Sequence, residues 1–197
     1  GAKYKILNDD ELISTAAKDL SLGEAIGWFQ GRMEFGPRAL GARSILGDPR
    51  SEQMQKNLNL KVKFRESFRP FAPSILKQDL EEWFDINIDS PYMLMVSNIN
   101  KDKVIEMTED QKKLFGIDKL NVKRSEIPAV THVDYSSRIQ TVHKETNERY
   151  FKLIQKFKEK TNCPVLVNTS FNVRGEPIVN TPLDAFNCFM GTNLEKL

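Results

Sequence analysis

The residues best suited to chemistry lie in a segment rich in glycine and arginine, residues 31–44. This glycine-arginine loop contains Arg32, Arg38 and Arg43, interspersed with three glycines and one proline. Glycine lets the backbone approach a ligand closely, and a guanidinium group binds a phosphate or carboxylate through two parallel hydrogen bonds. The composition therefore predicts an anion-binding loop.

Positive charge continues beyond this loop. Residues 32–70 contain nine Lys and Arg against four Asp and Glu, an excess of +5 in a chain whose net charge is +2. Lys61, Lys63, Arg65 and Arg69 belong to this window. Because the charge is concentrated in one part of the chain, it favours a small anionic ligand over general affinity for nucleic acid.

The bulk composition predicts an ordinary globular protein. Of its 197 residues, 40% are hydrophobic and 28% are charged, which suits a chain that buries a substantial core. We find neither an apolar stretch of roughly 18 to 20 residues nor a secretory signal, and we expect a cytoplasmic protein with no membrane partner. Cys163 and Cys188 lack CxxC spacing, so we expect two buried free thiols.

The hydrophobic pattern predicts one α/β domain with a mixed sheet. Helices are expected after Asp9 and Asp10 up to Gly23, and over 51–60, 80–84, 108–115, 147–160 and 181–189. Strands are expected over 25–29, 44–47, 92–96, 127–134, 138–142 and 163–167. Residues 68–76 contain two prolines, which predicts an edge strand or an extended segment. Residues 100–123 are charged and weakly periodic, and we expect a surface excursion with little chemistry there.

Five motifs follow one another along the chain: GRMEFGPRALG at 31–41, FRPFAP at 68–73, HVD at 132–134, RIQTV at 138–142 and NTSFN at 168–172. Together, between Glu24 and Leu194, they resemble the C-terminal domain of the O-carbamoyltransferases. This family includes nodulation protein NodU and antibiotic-tailoring carbamoyltransferases. The resemblance implies a YrdC-like fold, a twisted mixed β-sheet flanked by helices, as a single domain over residues 1–197.

The resemblance also implies an activity. In that family the C-terminal domain binds carbamoyl phosphate and ATP and joins them into carbamoyl adenylate, with release of pyrophosphate. A separate N-terminal domain of the actin-like ATPase superfold then passes the carbamoyl group to a substrate hydroxyl, near a metal held by histidines and an aspartate. We expect this chain to lack that domain and its metal, and to have it as a partner in the full-length protein.

The proposed reaction brings two polyanions together, so the site must neutralise several negative charges. We expect the phosphates to be contacted by Arg38, Arg43, Lys63 and Arg65, with Mg²⁺ bridging the ATP tail and Arg32 assisting. Of these, Lys63, Arg65 and Arg38 are assigned to catalysis. The alternative for each arginine is a solvated surface position or a structural ion pair with Glu34 or Glu66. No general base is assigned, because carbamoyl phosphate is already an anion.

A carbamoyl group has an NH₂ donor and a C=O acceptor, so amide and hydroxyl partners suit it. Asn168 and Ser170 are assigned to the carbamoyl or phosphate group, with Asn172 beside them. The alternative is a polar turn that satisfies its own backbone. His132 and Asp134, at i and i+2 on an expected strand, would point to one face and orient a ligand or bond each other.

Arg138 lies in the fourth motif and is assigned to a phosphate, with pairing to Asp134 or another acid as the alternative. Two other classes of function compete with the carbamoyl-transfer hypothesis. An RNA-binding or tRNA-modification-type YrdC-like module is disfavoured because the basic residues alternate with Gly and Pro and no aromatic stacking motif is present. A docking domain that has lost its site is disfavoured by the intact Arg38, Lys63, Arg65 and Ser170.

Overall fold

The computed structural model describes residues 3–197. Over this range the chain forms six strands: β1 Ile26–Phe29, β2 Arg43–Gly47, β3 Ala72–Leu76, β4 Met95–Asn98, β5 Ser136–Val142 and β6 Val165–Ser170. Seven α-helices accompany them over the same range: α1 Asp9–Ser21, α2 Met54–Asn57, α3 Leu80–Trp83, α4 Glu109–Lys112, α5 Gly116–Leu120, α6 Glu148–Thr161 and α7 Pro182–Met190. A π-helical segment, Leu58–Val62, directly continues α2.

The strands form one mixed sheet in the order β1-β2-β6-β3-β5-β4. The β3–β5 pair is parallel and the remaining neighbours are antiparallel. Helix α1 packs on α6, which lies against β3 and β6, while α7 contacts β1. The predicted α/β domain with a mixed sheet flanked by helices is confirmed.

Both long helices have recognisable caps. Asn8 accepts a hydrogen bond from the Glu11 amide and forms a capping box, so the cap of α1 lies one residue before the expected Asp9 and Asp10. Those two aspartates lie instead in the first turn, where the helix dipole favours negative charge. Asn147 caps α6, and the apolar stripe of this helix is buried, as an amphipathic helix requires.

Strand β3 corrects one expectation, because it lies inside the sheet between β6 and β5 and not at an edge. Proline lacks the N–H that a ladder needs, which is why residues 68–76 were expected to form an edge strand or an extended segment. The structure resolves this conflict by register: pairing of β3 with β5 begins only at Ser74, one residue after Pro73. Pro73 therefore has a paired residue in β6, Val167, but none in β5.

Other expectations are corrected in part. Residues 127–134 are not a strand: Pro128–Val130 form a 3₁₀ turn, and the strand β5 begins at Ser136. Strand β4 starts at Met95 instead of residue 92. The helix expected over 51–60 begins at Met54 and passes into the π-helical segment. The helix expected over 108–115 is a single turn, α4, capped by Thr108. Cys163 and Cys188 are buried free thiols, as predicted.

The register brings several loops to one end of the sheet. The end of β1 pairs with the start of β2, Ser44 of β2 pairs with Ser170 at the end of β6, and Ala72 at the start of β3 pairs with Asn168. Strand β5 runs parallel to β3, so it also starts at this end. We call this end the loop edge; it comprises residues 30–42, 63–71, 131–135 and 171–181. All five sequence motifs therefore place residues at or beside this one end of the strands.

Within residues 3–197, none of the helices combines the length and the apolar character needed to cross a membrane.

Candidate functional site

Lys63 is the centre of the site. It directly follows the π-helical segment Leu58–Val62, a local geometry that occurs often at functional sites. Its side chain is only 5% exposed. The ammonium donates to the Ser170 and Asn172 carbonyls, to Asn172 Oδ1 at 2.7 Å and to Ser170 Oγ at 3.3 Å. Within residues 3–197 these hydrogen-bond acceptors are all uncharged oxygen atoms.

This environment disfavours the charged form of Lys63. Burial, and to a smaller extent the nearby Arg65 charge, lowers the pKa of Lys63 from 10.5 to about 7. Ser170 Oγ donates to Asn172 Oδ1 at 2.7 Å, so the two lysine partners are themselves joined. The ammonium of Lys63 thus lies among oriented dipoles, and within residues 3–197 it has no carboxylate partner.

Arg65 lies beside Lys63 and is half-buried. Its Nε donates to Asn59 Oδ1 at 2.6 Å, and its guanidinium carbon lies 4.9 Å from the Phe71 ring centroid. Asn59 is fully buried and is oriented by its own bonds to the Ser67 and Arg69 carbonyls. Burial, followed by the Arg69 charge, lowers the pKa of Arg65. In the described residues only Nε is engaged in hydrogen bonding, so both Nη groups can contact a ligand.

Three members of this cluster were not assigned to the site from the sequence. The pKa of Glu66 is lowered first by its own backbone amide and then by the charges of Arg174, Arg69 and Arg65, and Arg69 lies 4.0 Å from its carboxylate. Arg69 lies in the FRPFAP motif and Arg174 four residues beyond Ser170, so a signal existed for both. Nothing in the sequence pattern marked Asn59 as the residue that orients Arg65.

Arg43 has a different environment from the one expected. It is 4% exposed and stacks on Phe29, with 3.6 Å between its guanidinium carbon and the ring centroid. Its guanidinium donates five hydrogen bonds to the backbone carbonyls of Gln30, Gly31, Ala42 and Asn180. A guanidinium has five N–H donors, so these bonds use its full capacity. Arg43 holds the glycine-arginine loop and α7 together, in an arrangement that leaves no donor for a phosphate.

Asn168 likewise faces the protein interior. It is 1% exposed, and its amide nitrogen lies within hydrogen-bond distance of the Ala39 carbonyl, Ser74 Oγ and Gln140 Oε1, at 2.8 to 3.0 Å. Gln140 in turn donates to the Leu40 carbonyl at 2.9 Å. The side-chain amides of Asn168 and Gln140 therefore hold residues 39 and 40 of the glycine-arginine loop through hydrogen bonds to their carbonyls. Ser170 and Asn172, which contact Lys63, are partly exposed at the loop edge.

A second group of charges lies at the start of β5. Arg138 is half-buried, and in the described residues its Nε is buried without a hydrogen-bond partner. Burial, followed by the charge of Arg38, lowers the pKa of Arg138, so the charge of Arg38 acts on this guanidinium. Across residues 3–197 no ion pair joins Arg138 to Asp134, the alternative raised from the sequence. Arg38 and Arg32 are exposed on the loop.

His132 and Asp134 lie in a turn and not on the strand that was expected. The His132 amide bonds the Ser136 carbonyl, and Asp134 Oδ1 accepts from the Ser136 amide and hydroxyl. Burial lowers the pKa of His132, an effect that Asp134 opposes and Arg138 reinforces. Among residues 3–197 we find no group of three or more His, Cys, Asp or Glu side chains able to hold a metal ion.

A cleft of about 450 Å³ opens next to His132. Its lining consists of residues 52, 53, 55, 56, 67, 68, 70, 120–124, 128 and 131–133. Part of the surface excursion that was expected to have little chemistry therefore lines a concavity beside the loop edge. Lys56, Lys123 and Arg124 give this cleft a basic character, offset in part by Glu52.

The arrangement can bind more than one negatively charged group. Lys63, Arg65 and Ser170 form one cluster, and Arg38 and Arg138 form another at the same edge. Charged donors in partly buried positions bind phosphate and carboxylate strongly, because water competes less well there. Two cationic clusters on one edge suit a reaction between two anions.

Comparison with known proteins gives this edge a context. Residues 17–197 match the family model described as "Carbamoyltransferase C-terminus". The chain is 56% identical over its whole length to an uncharacterised protein of Synechocystis sp., of which it covers 32%. It is 43% identical to nodulation protein NolO of Bradyrhizobium diazoefficiens, over 98% of the chain and 32% of that protein.

A third relative is the 3'-hydroxymethylcephem-O-carbamoyltransferase of Amycolatopsis lactamdurans, at 34% identity over 90% of the chain and 29% of that protein. The chain thus spans about a third of the length of these curated relatives. Among solved structures, full-length HypF in its phosphate- and nucleotide-bound form matches with a TM-score of 0.52 and 14% identity. That match covers 95% of this chain and 20% of HypF, and at this identity it is a likeness of fold.

Proposed function

Because this chain belongs to the family of carbamoyltransferase C-terminal domains, we propose that its loop edge binds carbamoyl phosphate and Mg·ATP and forms carbamoyl adenylate, releasing pyrophosphate. In the full-length protein, an N-terminal transferase domain then passes the carbamoyl group to a substrate hydroxyl. The greater length of the relatives leaves room for such a domain.

One observation carries the proposal: Lys63 is a buried cation whose partners in residues 3–197 are uncharged oxygens. A buried charge is normally paired, because its loss of hydration is otherwise uncompensated. An incoming phosphate would supply the missing negative charge and favour the protonated lysine. Lys63 therefore has the properties of a ligand contact and not of a structural ion pair.

The neighbouring groups can divide the work of binding. Arg65 presents its Nη groups in a fork suited to two phosphate oxygens, while Asn59 fixes the direction of the side chain. Ser170 and Asn172 place a hydroxyl and an amide next to the lysine, a set that matches a carbamoyl or phosphate group. Arg43 and Asn168 are left out of the ligand contacts, because their bonds hold the loop.

Arg38 and Arg138 would receive the second anion. The buried Arg138 Nε without a partner in the described residues fits an anion that completes its hydrogen bonding. Holding the two anions at adjacent clusters lowers their mutual repulsion and aligns the reacting groups. Mg²⁺ bound with ATP would neutralise part of the phosphate charge.

The test is isothermal titration of the chain with carbamoyl phosphate and with Mg·ATP, separately and together. Lys63→Ala should weaken binding of at least one ligand by tenfold or more, on the order of the ~1.5–3 kcal/mol of a hydrogen bond to a charged group. The matched control is Lys144→Ala, an exposed lysine that follows the opposite end of β5. Equal affinities for wild type and Lys63→Ala would refute the assignment of the site to this edge.

A further inference from the structure

The glycine-arginine loop has two unlike halves. Residues 39–43 are anchored: Ala39 is 3% exposed, and a Cβ added to Gly41 would lie 2.4 Å from the Tyr150 ring. Residues 31–38 are largely exposed, and Gly31 and Gly36 adopt positive φ in open space. We call residues 31–38 the exposed arm and residues 39–43 the anchored base. Arg38, assigned above to the second anion, is the last residue of the exposed arm.

Glu34 joins the arm to the base. Its Oε1 accepts from the backbone amides of Leu40 and Ala42, both at 2.7 Å, and from that of Arg43 at 3.3 Å. Bonds from backbone amides to a carboxylate are among the stronger hydrogen bonds in proteins. Its Oε2 is buried too, without a partner in the described residues, so the carboxylate is turned inward and not towards solvent. A single side chain thus folds the arm back onto the base.

An opposing force acts on the same arm. The charge of Arg38 lies close enough to Arg138 to lower its pKa. Like charges repel, and in residues 3–197 neither guanidinium forms a salt bridge that would compensate this repulsion. Arg38 is held near Arg138 on an arm whose glycines impose little restraint, so another contact must hold it there. The Glu34 bonds to the base are the contact that the structure provides.

We infer that Glu34 is a positioning residue, a latch that holds the exposed arm on the anchored base and so keeps Arg38 beside Arg138. This inference rests on the proposed function in one respect only, the assignment of Arg38 to an anion. Glu34 itself touches no ligand in this account. It acts through the amides of residues 40, 42 and 43.

The latch is tested directly by hydrogen exchange of those amides. Glu34→Ala should accelerate exchange at Leu40, Ala42 and Arg43 by roughly tenfold or more, while amides in the centre of the sheet keep their protection. Glu34→Gln retains an acceptor oxygen and should restore most of the protection. Glu145→Ala, which removes an exposed carboxylate, should change neither region. Unchanged exchange in Glu34→Ala, or a loss of protection across the whole sheet, would overturn the inference.

The consequence for binding is tested with a double-mutant cycle, using carbamoyl phosphate and Mg·ATP as probes. Glu34→Ala should weaken the binding of the same probe as Arg38→Ala does, and the double variant should be no weaker than Arg38→Ala alone. Additive losses would show that Glu34 does not act through Arg38 and would overturn the positioning role. If neither probe binds wild type, the proposed function fails. The exchange experiment still tests whether Glu34 holds the exposed arm on the anchored base.

Discussion

The burial of Lys63 leads to a quantitative prediction about how the free energy of unfolding depends on pH. The pKa of Lys63 is about 7 in the folded chain, against 10.5 for an ordinary lysine. Between these values the unfolded chain binds more protons than the folded chain, so the free energy of unfolding rises with pH in this window. Below about pH 7 the lysine is charged in both states, and the burial of that charge then destabilises the folded chain by its full amount. Replacing Lys63 with methionine, a side chain of similar length that does not titrate, should remove this pH dependence.

The expected size follows from the width of the window. One pKa unit corresponds to about 1.36 kcal/mol, so the free energy of unfolding of wild type, measured relative to Lys63→Met, should rise by about 2.6 kcal/mol between pH 6 and pH 9. The sign is the opposite of the one expected for a lysine in a salt bridge. A salt bridge would raise the pKa and would stabilise the folded chain until the pH exceeded 10.5.

The assay is denaturant unfolding at pH 6, 7, 8 and 9 and constant ionic strength, followed through the buried Trp28 and Trp83. Equal m-values for the two proteins would show that the change lies in stability and not in the surface exposed. The control is Lys144→Met at an exposed lysine, for which the difference from wild type should be flat with pH. A flat difference for Lys63→Met as well would refute the reasoning from burial.

Three further predictions concern the loop and its ligand. Gly41→Ala should lower the free energy of unfolding by roughly 1–3 kcal/mol more than Gly36→Ala, because both glycines have positive φ but only the Gly41 Cβ would meet the Tyr150 ring; thermal or chemical denaturation checks this. Arg43→Lys should destabilise by roughly 2 kcal/mol through loss of the guanidinium bonds, whereas Arg32→Lys on the exposed arm should stay within about 0.5 kcal/mol in the same measurement. Binding of carbamoyl phosphate at pH 8 should take up protons as the buried lysine regains its charge, which titrations in buffers of different ionisation enthalpy will measure.

Much of the fold follows from local sequence signals. The helix α6 has a cap, an apolar stripe and a left-handed end at Asn162, so pattern and structure agree. Strand β6 follows from its β-branched run and its polar end. The position of β3 could not be read in this way, because a proline indicates only a missing donor. Whether that donor is needed depends on the register with β5, which is a property of the assembled sheet.

The structure adds the surroundings of the expected site residues, which their types alone do not indicate. The concentration of positive charge pointed to Lys63 and Arg65, the NTSFN motif pointed to Ser170 and Asn172, and the structure brings these residues to one end of the sheet. The sequence patterns did not separate Arg43 from the other arginines, because a glycine neighbour is compatible both with an approaching ligand and with a tightly packed loop. Only the backbone carbonyls around the guanidinium, contributed by three separate parts of the chain, distinguish the two roles.

The contrast between Arg43 and Lys63 suggests how this edge is built. Both cations are almost fully buried, at 4% and 5% exposure. Arg43 has every donor matched by a carbonyl, so it contributes rigidity and has nothing to offer a ligand. The donors of Lys63 also face oxygen acceptors, but within residues 3–197 no carboxylate charge acts on it, whereas the charge of Glu34 acts on Arg43; the arrival of an anion therefore improves the environment of Lys63. Arg43 fixes the loop edge, while Lys63 leaves it electrostatically incomplete, and the proposed exchange of anionic ligands would use both properties.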